Sequence, residues 1–170
     1  MKKTLLLLVI FCFIELNAFA QELRKINFPN ISLKNIYGET IFLPDLQNSQ
    51  TPKVLCFWKS CCPINMEVME LINEQSELWI NETGAKIITV AIDDVRSSSK
   101  ILPLANGKDW NLEIILDINS DFKRAMAVNS TPHIFVLNSE NEIVWQRNTN
   151  FNGSETEIYD VLKKLSENEK

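Results

Sequence analysis

The feature that most constrains the fold is an uninterrupted apolar run at residues 54–58, Val-Leu-Cys-Phe-Trp. A strand with one face in water alternates apolar and polar residues, whereas a continuous run is typical of a strand buried on both faces. Such a strand needs a covering layer on each side. From Ile64 to Ile80 the apolar residues then recur at the spacing of an amphipathic helix. The chain is therefore predicted to build a central sheet covered by helices.

The rest of the chain continues this alternation of strand and helix patterns. Residues 31–33 and 40–43 flank a Tyr-Gly turn and predict an N-terminal β-hairpin. The order of elements predicts one α/β domain with a central mixed sheet flanked by helices and an N-terminal β-hairpin extension. The other predicted strands are 85–92, 112–116, 133–137 and 143–145, and the other predicted helices are 97–104, 120–127 and 155–165.

The first twenty residues have the pattern of a signal peptide. A basic start at Lys2 and Lys3 precedes an apolar run at 5–14, and Ala-Phe-Ala at 18–20 has the small-x-small form of a cleavage site. The apolar run is too short to cross a bilayer core of about 30 Å as a helix. We therefore predict a signal peptide at 1–20, no stable membrane span, and export to a bacterial periplasm.

Composition narrows the classes of partner. The formal net charge is -5 and the sequence pI is about 5.0, and no stretch gathers enough Lys and Arg to form a basic stripe. Such a chain repels a phosphate backbone, so nucleic acid is not an expected partner.

Cleavage after residue 20 would leave three cysteines, Cys56, Cys61 and Cys62, an odd number that cannot pair fully within one chain. Cys56 lies inside the apolar run and is predicted to be a buried core residue. Cys62 precedes Pro63, and proline is favoured at the first position of a helix. At a helix start the free N–H groups and the helix dipole stabilise a thiolate and lower the pKa of a cysteine. We therefore predict Cys62 as a nucleophile.

The segment 57–65, Phe-Trp-Lys-Ser-Cys-Cys-Pro-Ile-Asn, resembles the active-site segment of the TlpA/ResA-type thioredoxin-like (redoxin) family. In that family Phe-Trp is followed by two residues, an aromatic residue and Cys-x-x-Cys. The segments at 90–94, 116–117 and 131–132 also follow the order and spacing of the family, so the resemblance covers nearly all of 30–165. It implies a thioredoxin-like fold and thiol-disulfide chemistry on protein or small-molecule disulfides.

The sequence departs from the family pattern at three positions. The second cysteine of the motif falls on Asn65, a frequent glutamate falls on Val68, and Cys61 replaces the aromatic residue. Without a second thiolate at position 65, a mixed disulfide on Cys62 would wait for an external thiol or redox partner. A disulfide between adjacent cysteines closes a strained ring, so Cys61 is expected to be an exposed second thiol or to pack in place of the aromatic residue.

The resemblance also implies a substrate-binding surface formed by Trp58, Pro63, Thr131 and Pro132. The Thr131–Pro132 pair is similar to the cis-proline loop of the family, whose backbone lies opposite the active-site turn and pairs with a bound peptide. His133, the only histidine, is expected to be a core residue.

Two functions are compatible with these residues. The first is an exported thiol-disulfide oxidoreductase with Cys62 as nucleophile, Cys61 as a neighbouring thiol and no cofactor or metal. The alternative is a redox-inactive thioredoxin-fold module that binds extended peptides. A copper(I) site from Cys61, Cys62, Met66 and His133 is not favoured, and neither is a peroxiredoxin site, because lysine stands three residues before Cys62 where that family has threonine.

Overall fold

In the computed structural model, which describes residues 24–168, seven strands form one mixed sheet with the spatial order β2-β1-β5-β4-β3-β6-β7. The three central strands β3, β4 and β5 are parallel, and the outer strands run antiparallel to their neighbours. The predicted signal peptide, residues 1–20, lies outside the described residues and stays a prediction. The strands are β1 (Ser32–Asn35), β2 (Thr40–Phe42), β3 (Lys53–Trp58), β4 (Lys86–Ala91), β5 (Glu113–Leu116), β6 (His133–Leu137) and β7 (Ile143–Arg147).

Helices cover both faces of this sheet, as the sequence predicted. Helices α2, α4 and α6 contribute buried residues to one core, and α1 and α5 contribute to the core on the other face. The helices are α1 (Leu43–Gln47), α2 (Pro63–Thr83), α3 (Val95–Ser98), α4 (Ile101–Gly107), α5 (Asp121–Ala125) and α6 (Ser154–Asn168).

Strand β3 shows why an unbroken apolar run was informative. All six of its residues are buried. Cys56 and Trp58 contribute to the core on the side of α2, whereas Leu55 and Phe57 contribute to the opposite core. Alternate side chains of a strand point to opposite faces, so a strand between two cores has no polar face.

Helix α2 begins where the sequence predicted. Cys62 is its N-cap and Pro63 occupies the first helical position, where the missing N–H of proline costs no hydrogen bond. The helix ends at Gly84, which adopts the left-handed conformation with φ of 68° that terminates many helices. Its buried face includes Val68 and Ile72, which fixes the start of the helix against the sheet.

The N-terminal hairpin is confirmed, with Ser32 opposite Phe42 and Lys34 opposite Thr40. Strand β1 then pairs with β5, so the hairpin extends the sheet on the side away from β3. The short helix α1 that follows was not predicted. In the part of the chain that the structure describes, no helix is both long and apolar enough to cross a membrane.

The prediction of one helix at 97–104 is wrong, because the structure has two short helices, α3 and α4. A continuous helix would place Pro103 in its interior, where proline removes a hydrogen bond and its ring clashes with the carbonyl four residues earlier. Restarting at Ile101 puts this proline in the first turn of α4, where it is tolerated. The Asp94 side chain caps α3 by accepting a hydrogen bond from Ser97 N at 2.9 Å.

Candidate active site at the start of helix α2

The topology brings two predicted site segments to one edge of the sheet. The parallel strands β3 and β4 both end at this edge, and the antiparallel strand β6 begins there, with His133 opposite Phe57. The turn at 59–62, which leads from β3 into α2, therefore shares the edge with the segment that precedes β6. In that segment the Thr131–Pro132 peptide bond is cis. The carboxyl ends of parallel strands are a common position for binding sites.

Two buried polar side chains hold the turn. Asp93, which is 4% exposed, accepts hydrogen bonds from Ser60 N at 3.1 and 3.2 Å and from Ser60 Oγ at 2.6 Å. On the helix side, Asn65 Oδ1 accepts a hydrogen bond from Lys59 N at 3.3 Å. Asp93 follows the end of β4 and Asn65 lies in α2, so these hydrogen bonds fix the turn to both elements.

Asp93 was not among the site residues predicted from the sequence. The available signal was its position: it follows the end of β4, next to the end of β3 where the cysteines emerge. Its contact with Ser60 joins residues 33 positions apart in the chain, and no local pattern encodes such a contact.

The two adjacent cysteines form a close thiol pair. Their Sγ atoms lie 3.4 Å apart and both residues are free thiols. Cys61 is exposed, which is one of the two alternatives predicted for it, and Cys62 is half-buried at the N-cap, with φ of -117° and ψ of 126°. The Cys62 carbonyl accepts hydrogen bonds from Asn65 N at 3.0 Å and Met66 N at 3.3 Å. The Cys62 thiol is therefore placed at the first turn of a 21-residue helix.

The electrostatics of this pair correct one prediction. The hydrogen bond with the Cys61 thiol raises the pKa of Cys62, and partial desolvation and the repulsion of negative charge on Cys61 raise it further. The positive charge of Lys59 and the Asn65 side chain act in the opposite direction but do not cancel these effects. The pKa of Cys62 is therefore raised, contrary to the expectation from its position at the helix start, and the neighbouring thiol is the first cause.

Asn65, at the position of the missing second cysteine, is completely buried beneath the turn. Its Oδ1 is held by the Lys59 amide, and within residues 24–168 its Nδ2 has no acceptor at hydrogen-bond distance and angle. The same side chain lowers the pKa of Cys62. Asn65 therefore places an uncharged amide next to the thiol, and it supplies no second nucleophile.

Trp58, which was predicted to be part of the substrate-binding surface, has a buried side chain and presents none of it to solvent. Trp58 is 0% exposed and packs edge-to-face on Trp110, with the ring centroids 5.6 Å apart. It supports the turn from inside the core. Pro63 is exposed, Thr131 is half-buried and Pro132 is buried.

Cys56 and His133 are core residues, as predicted. Cys56 is fully buried, and burial strongly raises the pKa of its thiol. His133 is 8% exposed and stacks on Phe135 with centroids 4.1 Å apart, on the side of the sheet opposite α2. Its Nε2 lies 3.3 Å from Gln146 Oε1, and burial lowers its pKa.

Several solved structures are similar in fold to this chain. A solution structure of an uncharacterized thioredoxin-like protein from Porphyromonas gingivalis is 34% identical, with a TM-score of 0.71 over 84% of this chain and 94% of that one. A secreted Mycobacterium tuberculosis disulfide oxidoreductase homologous to E. coli DsbE is 12% identical, with a TM-score of 0.66 over 80% of this chain and 96% of that one. The bacterioferritin comigratory protein of Xanthomonas campestris is 19% identical, with a TM-score of 0.68 over 83% and 98%.

The two structures of low identity show the fold alone, which is thioredoxin-like. A comparison with curated proteins gave no match. A family model described as the AhpC/TSA family matches residues 25–146, which include strands β3, β4 and β6 and the Cys61–Cys62 pair. This protein, with its thioredoxin-like fold, belongs to the AhpC/TSA family.

Proposed function

We propose that this protein is an exported thiol-disulfide oxidoreductase of the TlpA/ResA type in which Cys62 is the nucleophile and an external thiol completes the reaction. Membership of the AhpC/TSA family supports thiol oxidoreductase chemistry in general. The observation that carries the proposal is the placement of an accessible thiol at the N-cap of α2, at the sheet edge that it shares with the cis Thr131–Pro132 loop.

In the first step the Cys62 thiolate attacks one sulfur of a substrate disulfide. A bond forms between Cys62 Sγ and that sulfur, the substrate S–S bond breaks, and the second substrate sulfur leaves as a thiolate. Lys59 and Asn65 both favour the charged form of Cys62 and so assist the attack. The backbone of the loop at 131–132 is the surface along which an extended peptide would align.

In the second step an external thiol attacks the mixed disulfide. The new disulfide leaves with the substrate and the external thiol, and Cys62 returns as a thiolate. Asn65 has no sulfur for this step. Cys56 does not reach the mixed disulfide, because its side chain is buried in β3 and forms part of the core.

The test is reduction of insulin and of glutathione disulfide by the purified protein, with alkylation of Cys62 followed across pH. We expect turnover that rises with the concentration of added thiol, and that Cys62→Ser abolishes it. Cys56→Ala is the matched control, since it removes a cysteine outside the site. Turnover that survives in Cys62→Ser would contradict the assignment of the nucleophile.

A redox-inactive module that binds extended peptides is the second candidate. The raised pKa of Cys62 and the lack of a thiol at position 65 favour it, because the first reduces the amount of thiolate and the second removes internal release of a mixed disulfide. Peptide binding without turnover, together with an alkylation pKa at or above the free-thiol value of about 8.5, would support this alternative.

Export is the part of the proposal that rests on residues 1–20. Periplasmic localisation of the full chain, with a mature N-terminus at residue 21, is the expected result of cell fractionation and N-terminal sequencing. An uncleaved chain in the cytoplasm would contradict it.

A further inference from the structure

The Cys61–Cys62 pair has a geometric property that disulfide chemistry does not use. Its two sulfurs lie 3.4 Å apart on neighbouring residues, and neither residue is buried in the core. One peptide unit joins the two residues, so their sulfurs meet without any rearrangement of the sheet. Sulfur is a soft ligand. The distance between two sulfurs sets the angle between their bonds to a shared atom, so the pair favours atoms that prefer that angle.

We propose that Cys61 and Cys62 form a chelating site for trivalent arsenic, a soft and pyramidal centre. For bonds to sulfur of about 2.3 Å, a separation of 3.4 Å corresponds to an angle of about 95° at the bound atom. This angle suits a pyramidal trivalent centre. A linear two-coordinate ion with bonds of that length would need its sulfurs roughly 4.6 Å apart.

The number of protein ligands at this pair also favours a trivalent arsenical. In residues 24–168, no cluster of three or more Cys, His, Asp or Glu side chains is arranged to hold a metal ion. A tetrahedral zinc site takes four ligands. A trivalent arsenical carries its own third substituent, so two protein sulfurs complete its coordination.

The binding reaction involves no oxidation or reduction. With phenylarsine oxide, two S–H bonds and the arsenic–oxygen bond break, two As–S bonds form, the oxygen leaves as water, and arsenic remains trivalent. The product occupies the Cys62 sulfur and so blocks the proposed nucleophile. The inference does not depend on the proposed function, because chelation needs only two free thiols and not the attack on a disulfide.

The experiment uses the reduced full-length protein, one equivalent of phenylarsine oxide and intact-protein mass spectrometry. We expect one adduct that resists glutathione and is removed by the dithiol 2,3-dimercaptopropanol. Relative to Cys61→Ser and Cys62→Ser, the wild type should need at least about a hundredfold more glutathione to lose the adduct, which is the advantage of a second, linked ligand.

The control variant Cys56→Ala removes the third thiol of the described chain and is expected to keep the resistant adduct. The proposal is overturned if either serine variant holds the adduct as firmly as the wild type, or if glutathione removes it from all of them equally. Loss of the adduct in Cys56→Ala with normal folding by circular dichroism would also overturn it.

Discussion

Cys56 and Cys62 are six residues apart in the chain, yet the fold gives them opposite chemical environments. Cys56 lies in the middle of β3 between two apolar cores and is 0% exposed, so its sulfur meets neither solvent nor substrate. Cys62 lies just past the end of the same strand, where the chain turns into α2 and the thiol becomes accessible. The difference shows that the end of a strand, and not the residue type, makes a cysteine available for reaction.

The effects on pKa sharpen the comparison, because both thiols have raised pKa values but the largest cause differs between them. Burial is the cause at Cys56. At Cys62 the first cause is the hydrogen bond with Cys61, and Lys59 and Asn65 oppose it. A substitution of a surface residue can therefore change the pKa of Cys62, whereas the pKa of Cys56 changes only when the core is altered or the protein unfolds.

The largest expected effect comes from removing the accessible thiol. If Cys62 attacks disulfides and position 65 offers no thiol, the wild type should accumulate as mixed disulfides in cells. Cys62→Ser is expected to abolish these complexes, whereas Cys56→Ala should retain them. Non-reducing gels of acid-quenched cells measure this as high-mass bands that collapse on reduction. Bands lost in Cys61→Ser but kept in Cys62→Ser would make Cys61 the nucleophile.

The second prediction places a new thiol near Cys62. Asn65→Cys restores the missing position on the first turn of α2, where a sulfur would act at high effective concentration. We expect fewer trapped complexes and disulfide-reductase turnover about a hundredfold higher. Asn65→Ser is the matched control, since it shortens the side chain and adds no sulfur. Equal turnover in the two variants would mean that release of the mixed disulfide is not the slow step.

The sequence was sufficient for the parts of this comparison that depend on local patterns. The run at 54–58 predicted a strand buried on both faces, and Pro63 predicted the helix start at Cys62, since each follows from neighbouring residues alone. The single predicted helix at 97–104 was wrong because it would place Pro103 in a helix interior. The proline instead divides the segment.

The chemistry of the site was harder to predict because it depends on contacts between distant segments. The role of Asp93 arises from the pairing of β3 with β4, and the burial of Trp58 arises from its packing on Trp110. The adjacency of Cys61 and Cys62 was visible, but the 3.4 Å between their sulfurs depends on side-chain directions. That distance reverses the expected direction of the pKa shift at Cys62.

The third prediction concerns the buried thiol and pH. In the unfolded chain the Cys56 thiol ionises at about pH 8.5, whereas burial keeps this thiol neutral in the folded protein. The contribution of this buried thiol to the free energy of unfolding is therefore fully present below that pH. As pH rises further, the free energy of unfolding falls by up to about 1.4 kcal/mol per pH unit. Urea unfolding at several alkaline pH values measures this slope, and Cys56→Ala should reduce it by this amount. An unchanged slope would show that Cys56 ionises in the folded protein.

The smallest expected effect concerns the thiol pair itself. Cys61→Ala removes the hydrogen bond and the negative charge that raise the pKa of Cys62, so the pKa should fall and more thiolate should form at neutral pH. Alkylation requires the thiolate, so we expect Cys62 to be alkylated faster at pH 7 in Cys61→Ala than in the wild type. Lys59→Gln is the opposing variant, because the loss of its positive charge should raise the pKa and slow alkylation. Iodoacetamide labelling of Cys62 across pH, followed by mass spectrometry, measures both shifts. If the two variants move the profile in the same direction, or if Cys61→Ala leaves it unchanged, the sulfurs of Cys61 and Cys62 do not interact in solution.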